Sequence, residues 1–154
     1  MTVQDLHQPP LPAKAIALTW AGLLPFVAAV VVLLAWPPGA SLALKAFIGY
    51  SAIILSFLGG VRWGRVMAAG AAAPGYVLAV LPSLWAFPAL FLPASFAVAS
   101  LAVGFGLALW FDTRADTVPA TPGFRALRMR ISAAVIACHV GVLIALRFGF
   151  GTTL

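Results

Sequence analysis

The sequence predicts an all-α membrane protein, a bundle of five transmembrane helices, and three observations carry that prediction. Of its 154 residues 64% are hydrophobic and only 8% are charged, where a soluble domain carries about 25% charged residues. The apolar residues gather into five runs, 15–36, 43–66, 75–92, 94–111 and 131–148, each close to the about 20 residues that cross about 30 Å of hydrocarbon as a helix. These runs are apolar on every face, whereas the strands of a membrane barrel alternate with a period of two.

The elements follow in order. Residues 1–14, "MTVQDLHQPPLPAK", lack the charged start and small-residue cleavage site of a signal peptide and the arginine content of a transit peptide, and read as a short proline-rich cytoplasmic tail. The first run contains Pro25. The third contains Pro82 and Pro88, each of which removes a backbone donor and kinks a helix. A re-entrant third segment, leaving four crossings, is therefore the alternative. Leu92-Pro93-Ala94 leaves room only for a tight hairpin, with Pro93 opening the fourth helix. Residues 112–130 read as a basic cytoplasmic loop before the fifth helix.

Charge placement orients the bundle. With five crossings, Lys14, Arg62, Arg65, Arg114, Arg125, Arg128 and Arg130 share one side and only Lys45 and Arg147 lie on the other. Cytoplasmic flanks collect basic residues, so the N-terminus is expected in the cytoplasm and the C-terminus outside. The three acids, Asp5, Asp112 and Asp116, fall on the basic side as well. A re-entrant third segment would erase most of this asymmetry. The net charge of +6 accordingly reads as topology and attraction to anionic headgroups, not as a nucleic-acid surface.

Small residues recur at helical spacing. Ala52, Ser56, Gly60 and Gly64 line one face of the second helix, Ser100, Gly104 and Ala108 one face of the fourth, and Ala133, Ala137, Gly141 and Ala145 one face of the fifth. Lipid provides no hydrophobic drive for association, so helices meet where small residues let backbones approach. The expected packing positions are Ser56, Gly60, Gly64, Gly104, Ala137 and Gly141. Chance alignment in alanine-rich spans is the competing explanation, strongest for the fourth helix.

Two polar features remain. Arg62 and Arg65 sit near the cytoplasmic end of their span, where long basic side chains snorkel to headgroups. The sharper expectation is an ion pair between Arg62 and Asp112, which ends the fourth helix at similar depth. His139 is the one ionisable side chain near mid-bilayer, a candidate intramembrane polar contact. Its face, with Arg128, Ser132, Val142 and Leu146, lies about 160 to 200° from the small face of the same helix. The fifth helix is thus expected to touch protein on two sides, one of them another subunit. The plainer reading of His139 is a neutral imidazole bonded to a serine or a backbone carbonyl.

"GYSAIILSFLGGVRWG", "LAVLPSLWAFPALFLP" and "PGFRALRMRISAAV" together resemble the family of unknown function typified by transmembrane protein 69, found in bacteria and mitochondria, across about residues 17–148. The most specific stretch is Ser56 to Gly64. The resemblance implies a multi-pass helical protein and no known reaction, substrate or catalytic residue; it also implies that the position of Arg62 often holds histidine or another polar residue.

Three function classes follow. An accessory or assembly subunit packed against a larger respiratory or photosynthetic complex of the bacterial inner membrane fits the small-residue stripes and short loops. A small transporter or channel is disfavoured by the scarcity of intramembrane polar residues and the absence of an inverted repeat, and a lipid- or quinone-contacting role built on Trp85, Phe87 and Trp110 is a variant of the first class. An enzyme is disfavoured most. The chain has no glutamate and one cysteine, Cys138, and offers no nucleophile-base pair, metal-ligand cluster or cofactor site. His7, in the tail, cannot join His139 as a second axial haem ligand. The expected partners are lipid and other membrane subunits.

Overall fold

A computed structural model describes residues 11–70, 74–114 and 120–150. Every regular element among them is helical. The first span comprises α1 (Ala13–Ala21) and α2 (Leu24–Ala35); after a short 3-10 turn, Pro37–Gly39, come α3 (Ala40–Ala68), α4 (Pro74–Ala89), α5 (Ala94–Arg114) and α6 (Pro122–Arg147). Four units are long and apolar enough to cross a membrane: 13–35, 37–68, 94–113 and 122–147. Large apolar side chains on their outer surfaces, Phe57, Phe96 and Ile144 among them, are well exposed, as a lipid-facing surface requires and a water-facing one does not tolerate.

The break between α1 and α2 has a local cause. Pro25 lies in the first turn of α2 and has no N–H to continue the preceding ladder. The Gly22 carbonyl, at the break, accepts a hydrogen bond from Tyr50 Oη of α3 at 3.0 Å, so a backbone group at membrane depth keeps a polar partner.

Helices α2, α3, α5 and α6 form a ring of neighbours, and α4 lies in the outer groove between α3 and α5. The ends of α3 and α5 meet through Arg62 and Asp112. Because α4 starts beside the end of α3, with Gly75 against Val66, and α5 returns to that same end, α4 carries the chain to the opposite end as one continuous helix. At 16 residues it is about 24 Å long, short of a full hydrocarbon thickness. Leu90 to Leu92 form the turn that follows, with Phe91 N–H bonded to the Pro88 carbonyl, and the Pro93 carbonyl accepts from Ala97 N–H as α5 begins.

Two sequence expectations are corrected. The stretch 112–130 is not a loop: Asp112 and Thr113 belong to the last turn of α5, and α6 begins at Pro122, nine residues before the apolar run. Thr121 caps it, its hydroxyl accepting from Phe124 N–H at 3.1 Å, and proline at the first helical position suits a start. Arg125, Arg128 and Arg130 are therefore helical; residues 115–119, with Asp116, lie outside the described residues, as does most of the expected tail. The second correction concerns packing. Gly60 and Gly64 are exposed, Ala137 is exposed, and a Cβ at Gly60, Gly64 or Gly141 would meet nothing within 4 Å. Ser56 is half-buried. The contact glycine of α3 is Gly59, one position round the helix, whose added Cβ would collide with the backbone carbonyl of Ala79 and touch Pro82. The reason is angular: the face that turns inward carries Ser51, Leu55, Gly59, Arg62 and Val66, and Gly60 lies about 100° away from Gly59. Gly104 is buried as expected; a Cβ there would fall 2.6 Å from Leu55 Cδ2 and 2.9 Å from Trp85 Cδ1.

Glycine-to-alanine substitutions separate these faces. Gly59→Ala must displace the α4 backbone and is expected to cost about 1–3 kcal/mol, whereas Gly60→Ala is expected to be neutral or stabilising by up to about 1 kcal/mol. Unfolding of both purified variants in detergent, followed by circular dichroism, reads the difference.

Candidate functional site

At the end of the ring where α3 and α5 terminate, one carboxylate holds three helices. Asp112 stands 18 positions after the first residue of α5, about 27 Å along its axis. The cap at Thr121 starts α6 early enough that Arg128 reaches the same level. Arg62 Nη1 lies 3.2 Å from Asp112 Oδ1, and Arg128 donates through Nε to Asp112 Oδ2 at 2.8 Å. Arg65 Nη1 stands 3.9 Å from Oδ1, with its guanidinium 4.4 Å over the Phe124 ring. Arg62, Asp112 and Arg128 are all buried. Arg128 and Ser132 are one turn apart on α6, and Arg128 Nη1 donates to Ser132 Oγ at 2.9 Å. Its Nη2 has no acceptor among the described residues.

Such an arrangement is a clamp. Each carboxylate oxygen accepts from a guanidinium donor on a different helix, Oδ1 from Arg62 of α3 and Oδ2 from Arg128 of α6. Charge-assisted bonds of this kind are about twice as strong as neutral ones, and low-dielectric surroundings raise the cost of leaving any member unpaired.

Deeper in the ring, each of its four helices contributes one ring side chain. His139 of α6 is fully buried, with ring centroids at 4.7 Å to Phe47 of α3, 5.3 Å to Phe105 of α5 and 5.8 Å to Phe26 of α2. Its Nδ1 is 2.8 Å from the Val135 carbonyl; a carbonyl only accepts, so Nδ1 carries the proton. Nε2 has no partner among the described residues. His139 thus points into the chain's own interior, and the small face with Ala133 and Ala137 points outward. No group of three or more His, Cys, Asp or Glu side chains able to hold a metal ion occurs among the described residues.

Two apolar clefts run up to the ionic cluster. One, of about 300 Å³, lies between α1, α3 and α6 and has Arg128 and Ser132 in its wall. The other, of about 400 Å³, lies between α3, α4 and α5 and has Arg62 and Asp112 in its wall. Of the aromatics considered for a lipid groove, Trp85 lines this second cleft and donates through Nε1 to the Ser100 carbonyl at 2.9 Å, while Phe87 and Trp110 face outward.

The pair of Arg62 and Asp112 was readable from depth alone. Arg128 and Ser132 as its extension were not, although their spacing with His139 placed all three on one helical face; assigning residue 128 to a loop removed that signal. Ser132→Ala takes away the acceptor of a buried guanidinium N–H and is expected to cost about 1.5–3 kcal/mol. Arg65→Gln, at the longer and more exposed contact, is expected to cost under about 1 kcal/mol. Chemical unfolding of the two variants in the same micelles checks the order.

No solved structure matches this chain. Transmembrane protein 69 of Xenopus tropicalis is 36% identical over 151 residues, which takes in 92% of this chain and 57% of the relative. The chain therefore spans a little over half the length of that curated protein. The family described as protein of unknown function DUF3429 matches residues 11–144, from the start of α1 to the last turn of α6, so this integral membrane chain belongs to that family.

Proposed function

We propose that the protein is a non-catalytic, accessory or assembly subunit of the bacterial inner membrane, crossing it five times with the N-terminus in the cytoplasm and packing against a larger respiratory or photosynthetic complex. The observation that carries this reading is the outward placement of small residues on two long helices. Internal packing uses Gly59, Gly75 and Gly104, each of which would clash or press on a neighbour with a Cβ. Gly60 and Gly64 of α3 and Gly141 of α6 have open space above them instead, the surface on which a helix of another subunit can approach closely. The interior offers little to a reaction, since Asp112 is engaged by arginines and Ser51 Oγ is bonded to its own helix at Phe47.

Support for five crossings comes from the return path of α4, and support for the orientation from the basic residues at the ends of α3 and α5 and the start of α6. A helix about 24 Å long crosses where the bilayer thins locally, at a modest cost.

The test is native electrophoresis of tagged protein extracted in mild detergent. Stoichiometric migration with a large complex, lost in Gly60→Leu/Gly64→Leu while the helical content and unfolding midpoint hold, is the expected result. Migration as a small particle in the wild type, or a complex indifferent to both leucines, rules the reading out.

A further inference from the structure

We propose that the cleft between α1, α3 and α6 binds an anionic phospholipid, with an acyl chain in the cleft and the phosphate at its Arg128 end. Three observations lead there. The cleft is apolar along its length, walled by Phe26, Leu58, Val61, Leu127 and Ile131, and becomes polar at Arg128 and Ser132; its volume of about 300 Å³ is at the lower end of ligand sites. Its outer lip includes the exposed Leu18 and Phe57, so a chain enters sideways from the bilayer.

The second observation is charge. Seven basic residues, Lys14, Arg62, Arg65, Arg114, Arg125, Arg128 and Arg130, belong to the helix ends on this side, against three acids in the whole chain. An excess of positive charge therefore persists wherever Asp5 and Asp116 lie, and a phosphate is the complement it calls for. Basic pockets between transmembrane helices hold acidic headgroups by this logic. Third, Arg128 has two of its three nitrogens engaged, by Asp112 and Ser132; Nη2 is without an acceptor among the described residues, which a phosphate oxygen would provide. The neighbouring cleft over Arg62 has Asp112 itself in its wall, and that carboxylate already occupies the Arg62 Nη1 donor there.

Native mass spectrometry of the purified full chain, titrated with phosphatidylglycerol or with phosphatidylcholine of the same acyl chains, tests the proposal. Phosphatidylglycerol is expected to bind at least tenfold more tightly. Because Arg128 variants also break the clamp and can fail to fold, the site is probed with Val61→Trp, which fills the cleft from α3 and leaves every ionic partner in place; tenfold weaker binding is expected. Equal binding of the two lipids overturns the proposal as ordinary annular lipid, and unchanged binding by Val61→Trp overturns the cleft as the site. Displacement of phosphatidylglycerol by inorganic phosphate at equal concentration overturns it as well, since the acyl chain would then contribute nothing.

Discussion

The architecture depends on the Asp112 carboxylate. Among the described residues it is the one acid within the membrane-spanning helices, and it binds α5 to α3 through Arg62 and to α6 through Arg128. An ion in hydrocarbon is costly unless it is paired, so each of the three groups makes the burial of the others tolerable. The geometry then propagates. Once Arg62 turns inward, the helical period sends Leu55, Gly59 and Val66 inward with it, and Gly60 and Gly64 out toward the bilayer. Once Arg128 turns inward, Ser132, Val135, His139 and Val142 follow along the same face of α6, which brings His139 to the three phenylalanines from the other helices of the ring.

Below the clamp, close packing takes over from charge. Gly59 lets α4 lie directly on α3, and Gly104 lets Leu55 and Trp85 share one level between α3, α4 and α5. The short α4 is thereby fixed to the ring by shape, which is how helices associate in a solvent that does not drive them together. The division of labour between two kinds of glycine is then intelligible: those that touch a neighbour within the chain, and those left facing out, where only a partner or lipid can lie.

Much of this was legible in the sequence. Hydropathy and length identify the apolar helices because the bilayer imposes both, and depth counting from either end of a span brings Arg62 and Asp112 to one level. Helix rotation was not legible. Gly59 and Gly60 are adjacent, and a small-residue period alone cannot say which of two neighbouring stripes faces protein; the buried arginine three positions on decides it, because charge is far more particular about its surroundings than glycine. The start of α6 was missed for a related reason. Arginines in "GFRALRMRIS" lower the hydropathy of a segment that Thr121 and Pro122 nevertheless start as a helix, so a window that seeks apolar runs begins nine residues late.

In the clamp, Asp112 and Arg128 act as one unit rather than as two residues near the same helix ends. A double-mutant cycle with Asp112→Asn, Arg128→Gln and the combined variant, read as unfolding free energy in one detergent, measures this directly. The clamp predicts a coupling of about 1 kcal/mol or more, the double variant losing clearly less than the two single losses added together. Additivity within about 0.5 kcal/mol would mean that α5 and α6 are held together by packing alone, and the role assigned to Asp112 in joining three helices would be wrong.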